Sequence, residues 1–280
     1  MQPISIRGLD AEALAGALVD RLDGRIAVVR ADDDPVADGG VGATADSSLT
    51  PATVGDPDTA LSLSADGVWQ GRGVVDGFDD LLDGLAPDHD YLVAVGYDRL
   101  RLPTVLLGPD ADAADTPGDV IATGASLNDI DLDALVDALD AAEPWITRET
   151  LVRRLEASPR AERSGAIATF TGRVRTRDSP DDDRTTHLAF EKYEGVARDR
   201  MDKIADELTD RDGVLDVVMH HRTGVIEAGE DIVFVVVLAG HRPEAFRAVE
   251  DGIDRLKDEV PIFKKETTER EEFWLHRRDP

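Results

Sequence analysis

Lysine is the rare residue of this chain, and its placement is the first hint of chemistry. Only Lys192, Lys203, Lys257, Lys264 and Lys265 carry an amine, while the other 26 basic side chains are arginine. Three of the five lysines fall between positions 257 and 265. A chain that otherwise avoids lysine and clusters it once has a use for an amine there. A partly desolvated ammonium stabilises negative charge that develops at a reacting centre, or donates a proton to it. Other cations stand at the ends of predicted elements: Arg173 and Arg175 after an apolar run, His241 and Arg242 after another, and Arg277 and Arg278 at the C-terminus. Gly240-His241-Arg242 opens a predicted helix, where unpaired backbone N–H groups favour anions. Brought together, these groups would form a cationic pocket for a small phosphorylated or carboxylated ligand, or for the carboxyl-terminal tail of a partner. The bland alternative is that each cation pairs separately with one of the many carboxylates.

Carboxylates are indeed abundant. The sequence holds 59 Asp and Glu against 31 Lys and Arg, a formal net charge of −28. So acidic a chain repels phosphate backbones at long range, which argues against general nucleic-acid binding. Many acids and few lysines suggest a surface adapted to high salt, where ions screen a dense carboxylate shell. There is no cysteine, which excludes disulfides, thiolate metal sites, cysteine nucleophiles and a persulfide carried by this chain. No metal site is expected: His220 and His221 are adjacent on a predicted strand and point to opposite faces, and Asp181-Asp182-Asp183 lacks the spacing of a calcium loop. No apolar run is long enough to cross a membrane, and no signal peptide is evident, so the expected location is the cytoplasm.

The charge is unevenly spread. Residues 1–143 carry 29 acidic and 7 basic side chains, whereas 144–280 carry 30 and 24. That asymmetry predicts two domains, 1–143 and 144–280, meeting where an acidic helical stretch reaches Pro144. In the first, strand candidates ISIRG, RIAVVRA, DYLVAVGY and PTVLLG alternate with helical spacing over AEALAGALVDRL, FDDLLDGLA and DLDALVDALDAAE. This predicts an α/β domain with a mostly parallel sheet. LSLSADGVWQG reads as a hairpin, and the Asp-, Gly- and Ser-rich stretch before it as a long loop. In the second, strands are predicted over 165–175, 186–193, 214–224, 232–240 and 262–266, and helices over 146–157, 196–210 and 243–260, with a turn at 227–231. That pattern predicts an α+β domain with a mixed or antiparallel sheet.

The order of elements in the first domain resembles MobB, the P-loop adaptor protein of molybdenum cofactor biosynthesis. The likeness rests on the opening strand–helix–strand, on DYLVAVGYDRLRLP and on GDVIA. The first strand–helix turn, Arg7-Gly8-Leu9-Asp10-Ala11-Glu12, has one glycine, no lysine and two carboxylates. It lacks the Gly-Lys-Ser/Thr end with which a P-loop cradles phosphates, so the resemblance implies a degenerate domain that has lost nucleotide binding.

In the second domain four motifs occur in order: GAIATFTGRVR, GHRPEAF, the Leu-Lys-x5-Phe-Lys-Lys-Glu run from Leu256 to Glu266, and a terminal Phe-Trp-x3-Arg. Together they resemble MoaE, the large catalytic subunit of molybdopterin synthase. The resemblance implies an α/β hammerhead fold and a sulfurtransferase activity without a resident cofactor. That activity converts cyclic pyranopterin monophosphate (precursor Z) to molybdopterin. It further implies a MoaD-like partner, a small ubiquitin-fold protein whose C-terminal Gly-Gly thiocarboxylate brings the sulfur, and a homodimer with one partner at each end. Carried over position by position, the active-site lysines match Lys257 and Lys264, and the substrate-binding residues match Phe170, Arg175, His241, Arg242 and Arg278. Phe263 stands where the family often has tryptophan, and Arg173 where it usually has lysine, so aromatic character and charge are kept. The alternative reading is a non-catalytic docking module for a ubiquitin-like protein, in which the cations only hold its tail.

Overall fold

The computed structural model describes residues 1–31, 59–108, 113–177, 179–180, 182–192, 194–268 and 272–275. The chain divides into two compact units, Met1–Trp145 and Ile146–Pro280. Among the described residues no helix is long and apolar enough to cross a membrane.

The first unit runs β1 (Gln2–Gly8), α1 (Ala11–Arg21), β2 (Ile26–Arg30), a hairpin of β3 (Thr59–Leu63) and β4 (Trp69–Gly73), α2 (Phe78–Leu85), β5 (Tyr91–Val95), β6 (Thr104–Leu107), β7 (Val120–Gly124) and α3 (Leu132–Ala141). Five strands form one sheet in the order β2-β5-β1-β6-β7, with every pairing parallel. The near-continuous apolar runs follow from this, because a parallel sheet is covered on both faces. Val93 and Val95 face α1 and α3 alongside Ile4, Ile6, Leu14, Leu18, Leu135 and Leu139. Leu92 and Ala94 face the other way, packing with Leu82, Ala86 and Leu102. The first strand–helix turn needs its one glycine: Gly8 has φ +114°, and a Cβ there would lie 1.8 Å from the Leu107 carbonyl oxygen. The carboxylate of Asp10 in the same turn accepts from the Leu127 amide at 3.4 Å.

The second unit runs α4 (Arg148–Glu156), β8 (Ala166–Arg173), β9 (Thr185–Lys192), α5 (Glu194–Thr209), β10 (Val214–His221), β11 (Gly224–Glu227), β12 (Asp231–Ala239), α6 (Arg242–Glu259), β13 (Ile262–Thr268) and β14 (Glu272–Leu275). Two antiparallel sheets form, in the orders β10-β12-β8 and β11-β9-β13-β14. The segment expected as a single strand over 214–224 ends at His221, and a separate strand starts at Gly224, whose φ of +79° is open to glycine at little cost. The turn expected at 227–231 joins β11 to β12. Strand β14 had no counterpart in the sequence pattern.

Strand β12 is the centre of this unit, with residues Ile232 through Ala239 all buried. Its alternate side chains serve two layers. Val235, Val237 and Ala239 pack with Ile204 and Leu208 of α5 and with Ala245, Ala248, Ile253 and Leu256 of α6. Phe234, Val236 and Leu238 pack with Leu151 and Leu155 of α4. Helix α6 lies close to the sheet because Gly252 faces it: a Cβ there would stand 2.9 Å from Val235 Cγ1 and 3.1 Å from Met219 Cε. Gly252→Val would favour the helix intrinsically but wedge it off the strand. We expect a net loss of about 1–3 kcal/mol, the usual cost of overpacking, read as a lower denaturant midpoint with an unchanged slope.

Candidate active site

Helix α6 fixes the position of three of the seven candidate residues, Lys257, Arg242 and its N-cap His241. Lys257 lies in its last turn and is exposed. Its Nζ stands 5.8 Å from the centroid of the Phe170 ring, within the ~6 Å range of a cation–π contact. Phe170 comes from β8, where Ala166, Ala168 and Phe170 alternate toward the core that α6 covers. The next residue on that face is Gly172. A Cβ at this position would meet Val233 Cγ1 at 2.6 Å and Phe170 Cε1 at 3.3 Å. The glycine of the Phe-Thr-Gly motif thus leaves the space that the aromatic ring occupies.

Beyond β8 the chain is pinned at Val174, which is buried, donates to the Glu230 carbonyl at 2.9 Å and accepts from the Gly229 amide at 2.9 Å. Arg175 follows it and is exposed, on the chain that leads away from Phe170. Arg173 is committed elsewhere: it pairs with Asp231 at 3.0 Å and donates to the Gly229 carbonyl.

Lys264 lies on β13, opposite Phe190 of β9, so the two side chains share a face of that sheet. Phe190 is buried and meets the His221 ring edge to face at 4.9 Å. Lys264 is half-buried, while its neighbour Lys265 faces the other side of the sheet. His221 Nδ1 lies 2.7 Å from the Arg222 carbonyl oxygen, which accounts for this buried histidine structurally. Among the described residues no group of three or more His, Asp or Glu side chains is placed to hold a metal ion.

His241 and Arg242 are not part of the same cluster. They are the N-cap and first residue of α6, both exposed, with Pro243 setting the first turn. Fifteen residues separate Arg242 from Lys257, and at about 1.5 Å per residue that is about 22 Å of helix. The single pocket that would gather every cation is therefore not formed within one copy of this unit. Arg278 lies outside the described residues.

One feature escaped the sequence reading. Arg255 Nε bonds Glu259 Oε1 at 2.7 Å, and its Nη2 bonds Glu207 Oε2 at 2.5 Å. Arg200 of α5 also reaches Glu259. Four alternating charges thus join α5 to the last turn of α6. The Arg255 hydrogen bond, with Arg200 adding to it, holds the Glu259 carboxyl below the usual carboxylate range. Glu259 and then Glu207 keep the Arg255 guanidinium charged, raising its pKa further. The i,i+4 spacing of Arg255 and Glu259 was visible in the sequence, but their shared partners on α5 were not.

Comparison with known proteins now bears on this geometry. The family model described as MoaE protein matches residues 143–259. A protein from Haloferax volcanii described as "Probable molybdopterin synthase" is 50% identical over 278 residues, covering 99% of this chain and 100% of its own length. A "Molybdopterin synthase catalytic subunit" from Pyrococcus abyssi is 38% identical over 112 residues, 40% of this chain and 74% of that protein. Among solved structures, molybdopterin synthase from Staphylococcus aureus aligns with 32% identity and a TM-score of 0.43, covering 48% of this chain and 93% of that one.

The packing beneath Lys257 is directly testable. Gly172→Ala must push either the Phe170 ring or Val233 aside. We expect a stability loss of about 1–3 kcal/mol, part of which returns in a Val233→Ala background, as a double-mutant cycle would report.

Proposed function

Because this chain belongs to the MoaE family, of which the Haloferax protein is a full-length relative, we propose that the site around Lys257 is where it makes molybdopterin. The chain is an enzyme, the catalytic subunit of molybdopterin synthase. Its substrate is cyclic pyranopterin monophosphate, and its sulfur comes from the C-terminal thiocarboxylate of a MoaD-like partner. The observation that carries the site is the Lys257 ammonium set over the Phe170 ring in the last turn of α6.

The chemistry follows from charge. The partner's thiocarboxylate sulfur bonds to a side-chain carbon of the pterin in place of an oxygen, and water then cleaves the acyl C–S bond, so that the sulfur stays on the pterin and the partner leaves as a carboxylate. Negative charge develops on the acyl oxygen as that bond is attacked. Lys257 is placed to stabilise it or to donate a proton. Lys264, half-buried on β13, assists in acid–base steps or holds substrate. Arg175 attracts the anionic thiocarboxylate or the substrate phosphate. The chain has no cysteine, which agrees with sulfur being delivered rather than carried.

His241 and Arg242 serve the same reaction from a second copy. Separated from Lys257 by the length of α6, they can reach a Lys257 site only across a dimer interface. There the helix N-terminus and the guanidinium hold the phosphate or the pterin. Arg278 completes the set of cations.

The wider reading has three parts. The catalytic domain spans 144–280 and the acidic accessory domain 1–143, a division that the two compact units support. The accessory domain is a degenerate MobB-like one in a hammerhead-containing chain. The carboxylates of Asp10 and Glu12 occupy the turn where a P-loop would cradle phosphate, and Glu12 pairs with Arg30 at 3.0 Å. The enzyme works in the cytoplasm, and its acidic surface is an adaptation to high salt.

A synthesis assay tests the central reading. It combines cyclic pyranopterin monophosphate, a thiocarboxylated partner and the purified chain in high salt. We expect wild-type turnover. Lys257→Ala and Lys264→Ala should each lower it at least about 100-fold, the scale of lost acid–base or charge stabilisation, with partner affinity retained. A wild type that binds the partner but makes no molybdopterin would leave only a docking module.

A further inference from the structure

Lys257 sits where a helix is least firmly held. It is two residues from the end of α6, and beyond that end Val260 takes an extended conformation and Pro261 prevents continuation. Terminal turns lack part of their hydrogen-bond ladder and fray. The next residue but one, Glu259, is the wrong sign for this place, because the C-terminal end of a helix carries partial negative charge. Helix stability alone does not account for it. Its partners do: Glu259 is gripped by Arg255 from one turn back and by Arg200 from the neighbouring helix, and Arg255 holds Glu207 on that same helix.

We propose that Glu259 is a positioning residue for Lys257, tying the last turn of α6 to α5 so that the ammonium stays over the Phe170 ring. The proposal rests on the reading of Lys257 as catalytic. Two residues apart on a helix, Lys257 and Glu259 project about 200° from each other. Glu259 thus faces α5 while Lys257 faces β8, and the carboxylate acts through the backbone of the turn. The cluster suits this duty in a salt-rich solvent. Arg255 and Glu259 are each 24% exposed and multiply bonded, so added salt screens them less than an isolated surface pair.

The test measures single-turnover rates, substrate KM and partner Kd for wild type, Glu259→Gln, Lys257→Ala and Glu259→Gln/Lys257→Ala. The conservative variant Glu259→Asp, which keeps the carboxylate, is added. With the ammonium loosened, Glu259→Gln should slow the chemical step about 10-fold, since small misplacements of a reacting group are costly, while KM and Kd stay within about 2-fold. Glu259→Asp should retain most of the rate. In the Lys257→Ala background the Glu259 change should cost nothing further, because there is no ammonium left to place. A general structural defect would slow that background as well. The proposal is overturned if Glu259→Gln turns over like wild type, or if its cost persists undiminished without Lys257. If Lys257→Ala itself stays active, the catalytic reading fails, and this inference with it.

Discussion

The second unit depends on one straight helix lying close to one buried strand. Helix α6 can approach β12 because Gly252 presents no side chain to Val235 and Met219. Once docked, its length dictates what the unit can do. It carries a histidine and an arginine at one end and a lysine at the other, about 22 Å apart by helix rise. No rearrangement of side chains closes that gap. The proposal that His241 and Arg242 serve a site in another copy of the chain rests on that separation.

A second constraint is charge. In a chain of net −28, cations are scarce, and several of those described pair with neighbouring carboxylates. Arg7 pairs with Asp98, Arg21 with Asp133, Arg173 with Asp231 and Arg211 with Asp251. Lys257 also lies over an aromatic face, whose quadrupole attracts a cation. Substrate phosphate and partner thiocarboxylate are both anions, so a site for them within such a protein has to keep its cations available.

Much of this was legible in the sequence, for physical reasons that differ by element. The run IVFVVVLAG announces a fully buried strand because it has no polar face, and α6 declares itself by its apolar spacing and its terminating proline. The parallel sheet of the first unit follows from alternating strands and helices. The lysine cluster stood out because the rest of the chain avoids that residue. Other features required the tertiary structure. The break between β10 and β11 turns on the positive φ of Gly224, and β14 pairs over too few residues to leave a pattern. The role of Gly172 depends on how near Val233 lies across a strand pair. The grip on Glu259 comes from a helix some fifty residues earlier, a distance at which charge spacing says nothing. Sequence also placed His241 and Arg242 at the start, and Lys257 near the end, of one predicted helix, which admits a site shared between two copies.

The most direct measurement is therefore complementation between inactive copies. Lys257→Ala and Arg242→Ala proteins would be purified separately, mixed in equal amounts under conditions of subunit exchange, and assayed for molybdopterin synthesis. If each site draws Lys257 from one copy and Arg242 from the other, each parent is inactive. The mixture then recovers about a quarter of wild-type turnover, since half of the dimers regain one of two sites. A mixture that forms heterodimers yet stays as inactive as its parents would contradict the account, as would an Arg242→Ala protein with wild-type turnover.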